Sequence, residues 1–176
     1  VFTEIHCHVS LASLNVQSLS RHPDGHAGKL RYLFEQVQHY KLNLIGIQEG
    51  RNQEGSSTSH GIYRICAGHH NGHHGVELWV NIHQPIGHDA HGHPVHFEVH
   101  QFTVAHRDPQ RLIVRRDSVL FSAWLFVAHS PHSGRTRAER SQWWQQTDEL
   151  IQQVADGDPW FWFIDANAAP GPYDGQ

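Results

Sequence analysis

Short apolar runs that end in polar residues are the feature that most constrains how this chain can fold. They are LNLIGIQE, ending at Glu49, VLFSAWLFVAH, ending at His129, and WFWFIDAN, ending at Asn167. Near-continuous apolar residues over this length indicate strands that are covered on both faces. Further strand patterns are VSLASLNV, IYRICAG, VELWVNI, VHFEVHQFTV and RLIVRR. The Gly- and Ser-rich segment Arg51–Gly61 is predicted to be a loop.

Two helices are predicted among these strands. Apolar residues at helical spacing predict an amphipathic helix over about Ala27–Tyr40. Thr136 and Glu139 match a capping box, so a second helix is expected to begin there and to end before Pro159. Its apolar face is expected to comprise Trp143, Thr147, Leu150, Ile151 and Val154. Strands flanked by two helices, with hairpin-like neighbours, favour a mixed α/β sandwich.

The size of the chain fits a single domain over residues 1–176. Its 176 residues are 38% hydrophobic, enough to bury a core. Apolar runs stay below the ~20 residues that a membrane helix needs. The two cysteines are too few for a disulfide framework and form no CxxC zinc motif. Because the chain starts at Val1 and contains no Met, we expect it to be a piece of something longer or a processed chain.

The charge leaves the binding partner open. The net charge of −4 is not typical of a nucleic-acid-binding protein, although eleven of the thirteen basic residues are arginine. Seven arginines cluster in one stretch, and this cluster is either a solvated face with local ion pairs or a phosphate-contacting patch. They are Arg107, Arg111, Arg115, Arg116, Arg135, Arg137 and Arg140.

The segment HHNGHHGVELWV raises the possibility of a histidine metal site at His69, His70, His73 and His74. The Asn71-Gly72 pair is a turn signal, which places these histidines in a loop. No thiolate or carboxylate completes a ligand set here, and irregularly spaced histidines continue to His100. Histidine-rich composition is therefore the better interpretation.

Polar side chains at the strand ends predict a functional site. They are Asn15, Glu49, His129, Asp165 and Asn167. Rigid strands fix such side chains where their loops face solvent. Carboxylate and amide oxygens suit Mg²⁺ or Mn²⁺ better than zinc. Taken singly, each residue has a structural alternative: a solvated strand end for Glu49, a core histidine for His129, and an Asx-turn for the Asp-x-Asn pair.

Four motifs in order resemble the endonuclease/exonuclease/phosphatase superfamily, which includes deoxyribonuclease I and the apurinic endonucleases. They are SLNVQS, LNLIGIQEG, RLIVRR…FVAHSPHSG and WFWFIDANAAPG. These motifs are most similar to those of the apurinic-like endonuclease domains of non-LTR retrotransposons. The resemblance implies a four-layer α/β sandwich with two mixed β-sheets, truncated after the Asp-x-Asn strand. It also implies phosphodiester hydrolysis, with DNA as the partner that is nicked.

The resemblance also implies roles for the residues at the strand ends. Glu49 matches the Mg²⁺-binding glutamate, and Asn15 matches the active-site asparagine of the first strand. His129 stands where the family has a His or Tyr that contacts the scissile phosphate. Asp165 and Asn167 match the pair that orients and activates water and binds phosphate.

Departures from the family pattern suggest two hypotheses. An Asp motif and a Ser-Asp-His-like motif are missing after Asn167, Gln17 replaces an acidic residue of some relatives, and Ile164 replaces a small residue. The chain is therefore expected to be inactive alone and not to be a well-folded monomer. It is either the N-terminal part of a Mg²⁺-dependent endonuclease, or a non-catalytic subunit whose partner proteins cover an open sheet. A retroelement endonuclease would be nuclear, and the alternative is intracellular.

Overall fold

The computed structural model describes residues 6–19, 27–68, 74–154 and 157–167, and the statements below concern these residues. Two α-helices are present, α1 (Ala27–His39) and α2 (Arg137–Val154). The strands are β1 (Leu11–Asn15), β2 (Leu44–Gln48), β3 (Gly55–Ser59), β4 (Ile62–Ala67), β5 (Val76–Asn81), β6 (Gly87–His88), β7 (Pro94–Val95), β8 (Phe102–Asp108), β9 (Arg111–Arg116), β10 (Ala123–His129) and β11 (Trp160–Asp165).

The strands form two mixed sheets and a short hairpin. The first sheet has the order β1-β2-β5-β4-β3, and the second has the order β11-β10-β9-β8. Strands β1 and β2 are parallel, as are β10 and β11, while the other neighbours are antiparallel. Strands β6 and β7 pair with each other. The last residues of the two parallel pairs therefore come together at sheet ends.

The core consists of three apolar clusters that define four layers. Between the sheets, Leu44 and Leu78 of the first sheet pack with Leu125 and Phe163 of the second. Helix α1 covers the outer face of the first sheet, and helix α2 covers the outer face of the second with Trp143. The observed order of helix, sheet, sheet and helix is the four-layer α/β sandwich with mixed sheets that the sequence predicts.

Gly46 lets the two sheets approach closely next to the polar strand ends. A Cβ built on Gly46 of β2 would lie 2.1 Å from the Cβ of Phe163 on β11. Gln48, two residues later, is buried and donates from Nε2 to the Phe163 carbonyl at 2.9 Å. A missing side chain and an inter-sheet hydrogen bond therefore fix β2 against β11.

The helix predictions and most strand predictions are confirmed. The capping box is present, since Thr136 N donates to Glu139 Oε2 at 2.8 Å and Glu139 N donates to Thr136 Oγ1 at 3.2 Å. These hydrogen bonds hold the pKa of Glu139 below its usual value. The predicted apolar face of α2 packs on the second sheet.

Two local predictions are wrong. The segment Arg51–Gly61 contains β3, because Ser and Thr side chains tolerate an exposed edge strand that pairs with β4. VHFEVHQFTV is not one strand, because a 3-10 turn at Val99–Gln101 interrupts it before β8. The pattern of apolar residues did not distinguish an exposed edge strand from a loop, or an interrupted segment from a single strand.

Strands β1 and β11 are the adjoining edge strands of the two sheets, and they expose apolar side chains. Leu11 and Leu14 of β1 are 41% and 37% exposed, and Trp162 of β11 is 49% exposed. An exposed apolar edge of this kind is typical of a surface that is covered by another protein or by a further protein segment. No helix within the described ranges is long and apolar enough to cross a membrane.

Candidate active site

The structure brings four of the five predicted strand-end residues into direct proximity. Asn15, His129 and Asp165 are the last residues of β1, β10 and β11, and Glu49 directly follows β2. The parallel registers align Asn15 with Gln48 and His129 with Asp165. Because Gly46 allows the sheets to approach, the ends of both parallel pairs meet at one edge of the sandwich.

The amide of Asn15 joins carboxylates from the two sheets. Its Nδ2 donates to Glu49 Oε1 at 2.9 Å and to Asp165 Oδ2 at 2.7 Å. Its Oδ1 accepts the backbone N–H of Gln17 at 3.1 Å, which fixes the orientation of the amide. Two carboxylates held this close form a concentrated negative charge that favours a cation.

His129 faces both carboxylates through the same ring nitrogen. Its Nε2 lies 3.7 Å from Glu49 Oε1 and 4.0 Å from Asp165 Oδ2. The side chain is 12% exposed. His129 therefore presents a polar ring edge at the two carboxylates while most of the ring is buried.

Asn167 lies beside this group and supports Asp165. Its backbone N–H donates to Asp165 Oδ1 at 3.0 Å, and its Nδ2 donates to the Ser130 carbonyl at 2.7 Å. The N–H of Ser130 in turn donates to the Asp165 carbonyl at 3.0 Å. Asp165 and Asn167 thus form the Asx-turn that was the structural alternative. The same two residues also lie at the group formed by Asn15, Glu49 and His129.

Left-handed backbone conformations concentrate around the same residues. Positive φ angles occur at Gln17 (53°), Glu49 (57°), Arg51 (57°), His74 (63°) and Asn167 (46°). A non-glycine residue in this region costs on the order of 1–2 kcal/mol. Such strain is typical of backbone that places functional side chains.

The donor set fits Mg²⁺ or Mn²⁺ in its chemistry. No group of three or more His, Cys, Asp or Glu across the described ranges is arranged to hold a metal ion by itself. Mg²⁺, however, is commonly held by one or two carboxylates together with water and substrate phosphate oxygens. The Glu49 side chain is 23% exposed, and the contact of its Oε2 with a described residue is long, 3.4 Å from Arg51 Nη2. Glu49 can therefore accept a further ligand.

Three residues that support the site were given no role from the sequence. They are Gln48, which links the sheets, Arg51, which contacts Glu49, and Ser130, which links the ends of β10 and β11. A polar Gln within a fully buried strand was the available signal for the first of these, because buried polar groups need partners. Arg51 and Ser130 carry no comparable signal in the sequence.

Ion pairs account for much of the arginine cluster. Arg107 pairs with Glu54, Arg111 with Asp108, Arg115 with Asp158, and Arg135 with Glu139. Arg116 is buried with its guanidinium over the rings of Phe97 and Phe121. For these five arginines, local pairing and packing are the interpretation that the structure supports.

The predicted histidine loop falls largely outside the described residues. His69, His70 and His73 lie in residues 69–73, which the structure does not describe. The ring of His74 lies 6.4 Å from that of His129, centroid to centroid. The four-histidine metal site stays disfavoured on the sequence argument alone.

The chain belongs to the endonuclease/exonuclease/phosphatase family, whose sequence profile matches residues 12–176. The four-layer fold with two mixed sheets agrees with this assignment. A comparison with curated protein sequences finds no match.

Solved structures of similar fold include two endonucleases and TDP2. The endonuclease domain of TRAS1, a telomere-specific non-LTR retrotransposon, matches with a TM-score of 0.52 at 12% identity, over 79% of this chain and 53% of that one. The AP endonuclease of Leishmania major matches with a TM-score of 0.57 at 14% identity, over 97% and 57%. TDP2 from Caenorhabditis elegans matches with a TM-score of 0.55 at 14% identity, over 92% and 48%.

These matches confirm the fold expected from the sequence. At such identities they establish similarity of fold alone. The chain spans about half to three fifths of the length of these three structures.

Proposed function

We propose that this chain carries the metal-binding and water-orienting groups of a Mg²⁺-dependent phosphodiesterase that nicks DNA. The observation that carries the proposal is the Asn15 amide, which joins Glu49 of one sheet to Asp165 of the other. Membership in the endonuclease/exonuclease/phosphatase family supports phosphodiester hydrolysis as the class of reaction.

Glu49 is the residue that would hold the metal, with Asp165 close by. When bound, Mg²⁺ or Mn²⁺ would polarise a phosphate oxygen. The positive charge of the metal would be compensated by the two carboxylates. Their shared hydrogen-bond partner, Asn15, is neutral, so it leaves their negative charge available to the metal. Asn15 keeps the carboxylates at a fixed separation before any ligand arrives, so less ordering is needed on binding.

Asp165 is the proposed acceptor of the proton from the attacking water. Water oxygen bonds to phosphorus, the bond from phosphorus to the leaving oxygen breaks, and the water proton passes to the Asp165 carboxylate. Asn167 orients that carboxylate through its backbone N–H. His129 would donate from Nε2 to a phosphate oxygen, since this nitrogen already faces the carboxylates.

Residues 1–176 alone are proposed to be inactive. Within the described part of the chain, the site contains two carboxylates and one imidazole, and the imidazole contacts both carboxylates at the limit of ion-pair distance. Efficient hydrolysis needs a fully ligated metal and a general base that is held by its own partner. Further groups are therefore required for turnover.

A second candidate function is a non-catalytic subunit of a protein assembly. The exposed Leu11, Leu14 and Trp162 on the two edge strands favour it, because a partner protein could cover these apolar groups. Under this hypothesis the strand-end residues would be retained from a nuclease without turnover.

A nicking assay with the full-length protein tests the catalytic proposal. Asp165→Ala should abolish Mg²⁺-dependent nicking of supercoiled plasmid while DNA binding persists, because the change removes water activation more than phosphate contacts. Asp148→Ala, on the exposed face of α2, is the matched control and should nick normally. Undiminished nicking by Asp165→Ala would eliminate its chemical role.

A second experiment tests whether residues 1–176 fold and act on their own. Residues 1–176, expressed alone, are expected to self-associate or to need a partner, and not to nick DNA. Size-exclusion chromatography with light scattering and the plasmid assay test both statements. A cooperatively melting monomer that nicks DNA would contradict them.

A further inference from the structure

A cleft of about 600 Å³ adjoins the candidate active site and shares only His129 with the group of Asn15, Glu49, His129 and Asp165. Its other walls are the turn between β8 and β9, the segment after β10, and one face of α2. The volume lies within the range of small-molecule sites in proteins. Neither Glu49 nor Asp165 lines the cleft, so it is a separate compartment next to the proposed reaction centre.

Trp143 lines this cleft and has a donor without a partner among the described residues. The residue is 5% exposed, and its Nε1 is buried and hydrogen-bonds to no described residue. The indole ring is held by Arg111, whose guanidinium lies 5.6 Å from its centroid, and by an edge contact with Trp144 at 4.8 Å. An indole N–H can only donate, and leaving it buried without an acceptor costs about 1–3 kcal/mol. A ligand that fits the cleft should therefore present an acceptor to Trp143.

The charges of the cleft favour a neutral ligand group over a phosphate. Arg111 Nε lies 2.8 Å from Asp108 Oδ2, and Arg135 Nη1 lies 3.4 Å from Glu139 Oε1, so each guanidinium has a carboxylate partner. These carboxylates would repel an additional phosphate. The cationic groups are thus largely compensated within the cleft.

Glutamine side chains give the cleft both donors and acceptors. Gln142 and Gln146 lie on α2 one turn apart, and Gln110, in the turn between β8 and β9, lines the same cleft. An amide offers two donors and one acceptor oxygen, the combination that pairs with the edge of a nucleobase. Trp143 adds a donor at a fixed position between them along the helix.

We propose that this cleft binds the nucleobase of a nucleotide next to the scissile phosphodiester. The inference rests on the proposed function, because the shared His129 wall connects a base in the cleft to a phosphate at the carboxylates. Trp143 donates to an acceptor of the base, and the glutamine amides pair with its remaining polar groups. The cleft thereby sets how the substrate strand lies relative to Asp165.

Nucleoside binding tests the cleft without any turnover. The full-length protein, labelled with ¹⁵N-tryptophan, is titrated with adenosine and separately with deoxyribose and inorganic phosphate. Adenosine should shift the indole N–H resonance assigned to Trp143, and the other two probes should not. Equal shifts with phosphate, or none with adenosine, would overturn the proposal.

Variants locate the binding and control for folding. Trp143→Phe should weaken adenosine binding about five-fold, as expected for one hydrogen bond. Gln145→Ala, at an exposed residue of α2 that does not line the cleft, should leave adenosine affinity unchanged. Because Trp143 is a core residue, the double variant Gln142→Ala/Gln146→Ala gives an independent test on exposed side chains, and it too should weaken binding. Wild-type affinity in both the Trp143 and the double variant would overturn the assignment.

Oligonucleotides distinguish this inference from the proposed function. A single-stranded DNA with one abasic position beside the cleavage position should be bound more weakly than its intact counterpart, and Trp143→Phe should remove that difference. If both strands bind equally while Asp165-dependent nicking persists, the base site is wrong and the phosphodiesterase stands. If adenosine binds but Mg²⁺-dependent nicking is absent, the phosphodiesterase and the link to a scissile phosphate are wrong.

Discussion

Glu77 and Glu49 lie on or next to neighbouring strands of the same sheet, yet their surroundings differ. Glu77 is 1% exposed and accepts from Asn52 at 2.5 Å, from Arg64 Nη2 at 2.7 Å and from Trp79 Nε1 at 2.7 Å. Glu49 is 23% exposed, with one short hydrogen bond from Asn15 and a longer contact to Arg51 at 3.4 Å.

The comparison separates a structural carboxylate from an available one. A carboxylate has about four acceptor positions. The protein fills those of Glu77 with donors from two buried residues and one half-buried residue, and Glu77 itself is buried, so a ligand has no access to it. Glu49 retains acceptor capacity at the protein surface, which is the property a metal ligand needs. Charge alone would not have distinguished the two residues.

The largest expected difference is in the free energy of unfolding, between a variant that lacks Glu77 and one that lacks Glu49. Glu77→Ala leaves the Arg64 guanidinium, whose side chain is 11% exposed, without its partner. Breaking a buried ion pair in this way typically costs about 3–5 kcal/mol. Glu49→Ala should change the free energy of unfolding by less than about 1 kcal/mol, because it removes only partly exposed contacts. Urea unfolding of both variants measures the difference.

For metal binding, substitution of the two glutamates should give the opposite ranking. Isothermal titration with Mg²⁺ should show weaker binding in Glu49→Ala, and near wild-type binding in any folded Glu77 variant such as Glu77→Gln. Similar stability losses in both alanine variants would break the distinction between the two glutamates.

Gly50 connects the two environments, and its substitution should have the next largest effect. A Cβ on Gly50 would lie 2.3 Å from Glu77 Oε1 and 3.0 Å from its Cδ. Gly50→Ala should therefore displace Glu77 and destabilise the protein by about 1–3 kcal/mol, as overpacking does. Gly28→Ala in α1, where a Cβ meets nothing within 4 Å, should be neutral or stabilising by up to about 1 kcal/mol. Equal melting temperatures for the two variants would show that Gly50 has room for a side chain.

The sequence was sufficient for the layers and for the candidate residues at the strand ends. Apolar runs such as LNLIGIQE produce buried strands because covered sheets need apolar side chains on both faces. Asn15, Glu49 and Asp165 were predictable because each follows or ends such a run. The assignment of the two sheets followed from family resemblance rather than from periodicity.

The sequence was not sufficient for the edges of the fold or for the supporting contacts. Strand β3 has no apolar pattern, because it is an exposed edge whose pairing with β4 supplies the stability. The difference between Glu49 and Glu77 depends on Asn52, Arg64 and Trp79 meeting in space. Likewise the cleft beside Trp143 is formed by three separate segments, and no local pattern predicts it.

Asp108 is a second carboxylate with filled acceptor positions, and it predicts a pH effect. Burial raises the pKa of Asp108, but hydrogen bonds from His106, the N–H of Gln110 and Arg111 outweigh burial and bring that pKa below its ordinary value. A lowered folded-state pKa gives stability that is present above the ordinary value of about 4 and is lost as pH falls through the folded pKa. Asp108→Asn should therefore cost about 1.5 kcal/mol at neutral pH, and this difference should shrink in acid.

Unfolding curves for the wild type and Asp108→Asn at several pH values measure this dependence. Asp148→Asn, on the exposed face of α2, controls for removing one negative charge. A stability difference that stays constant from neutral pH into acid would exclude Asp108 as its source.

The two cysteines provide the smallest effect and a probe of the network around Glu77. Burial raises the pKa of the Cys66 thiol to about 12, and the nearby Glu77 adds to this increase. Cys7 is exposed. Because only the thiolate attacks a disulfide reagent, the native protein at pH 8 should react at Cys7 alone, and at Cys66 only after unfolding.

Glu77→Ala should make Cys66 reactive without denaturant, since the weakened sheet opens more often. Counting released chromophore per chain in native and denaturing buffer measures this, with Cys7→Ser to isolate the buried thiol. Rapid modification of Cys66 in the native wild type would mean that the interior around Glu77 is open to solvent, and the contrast with Glu49 would lose its basis.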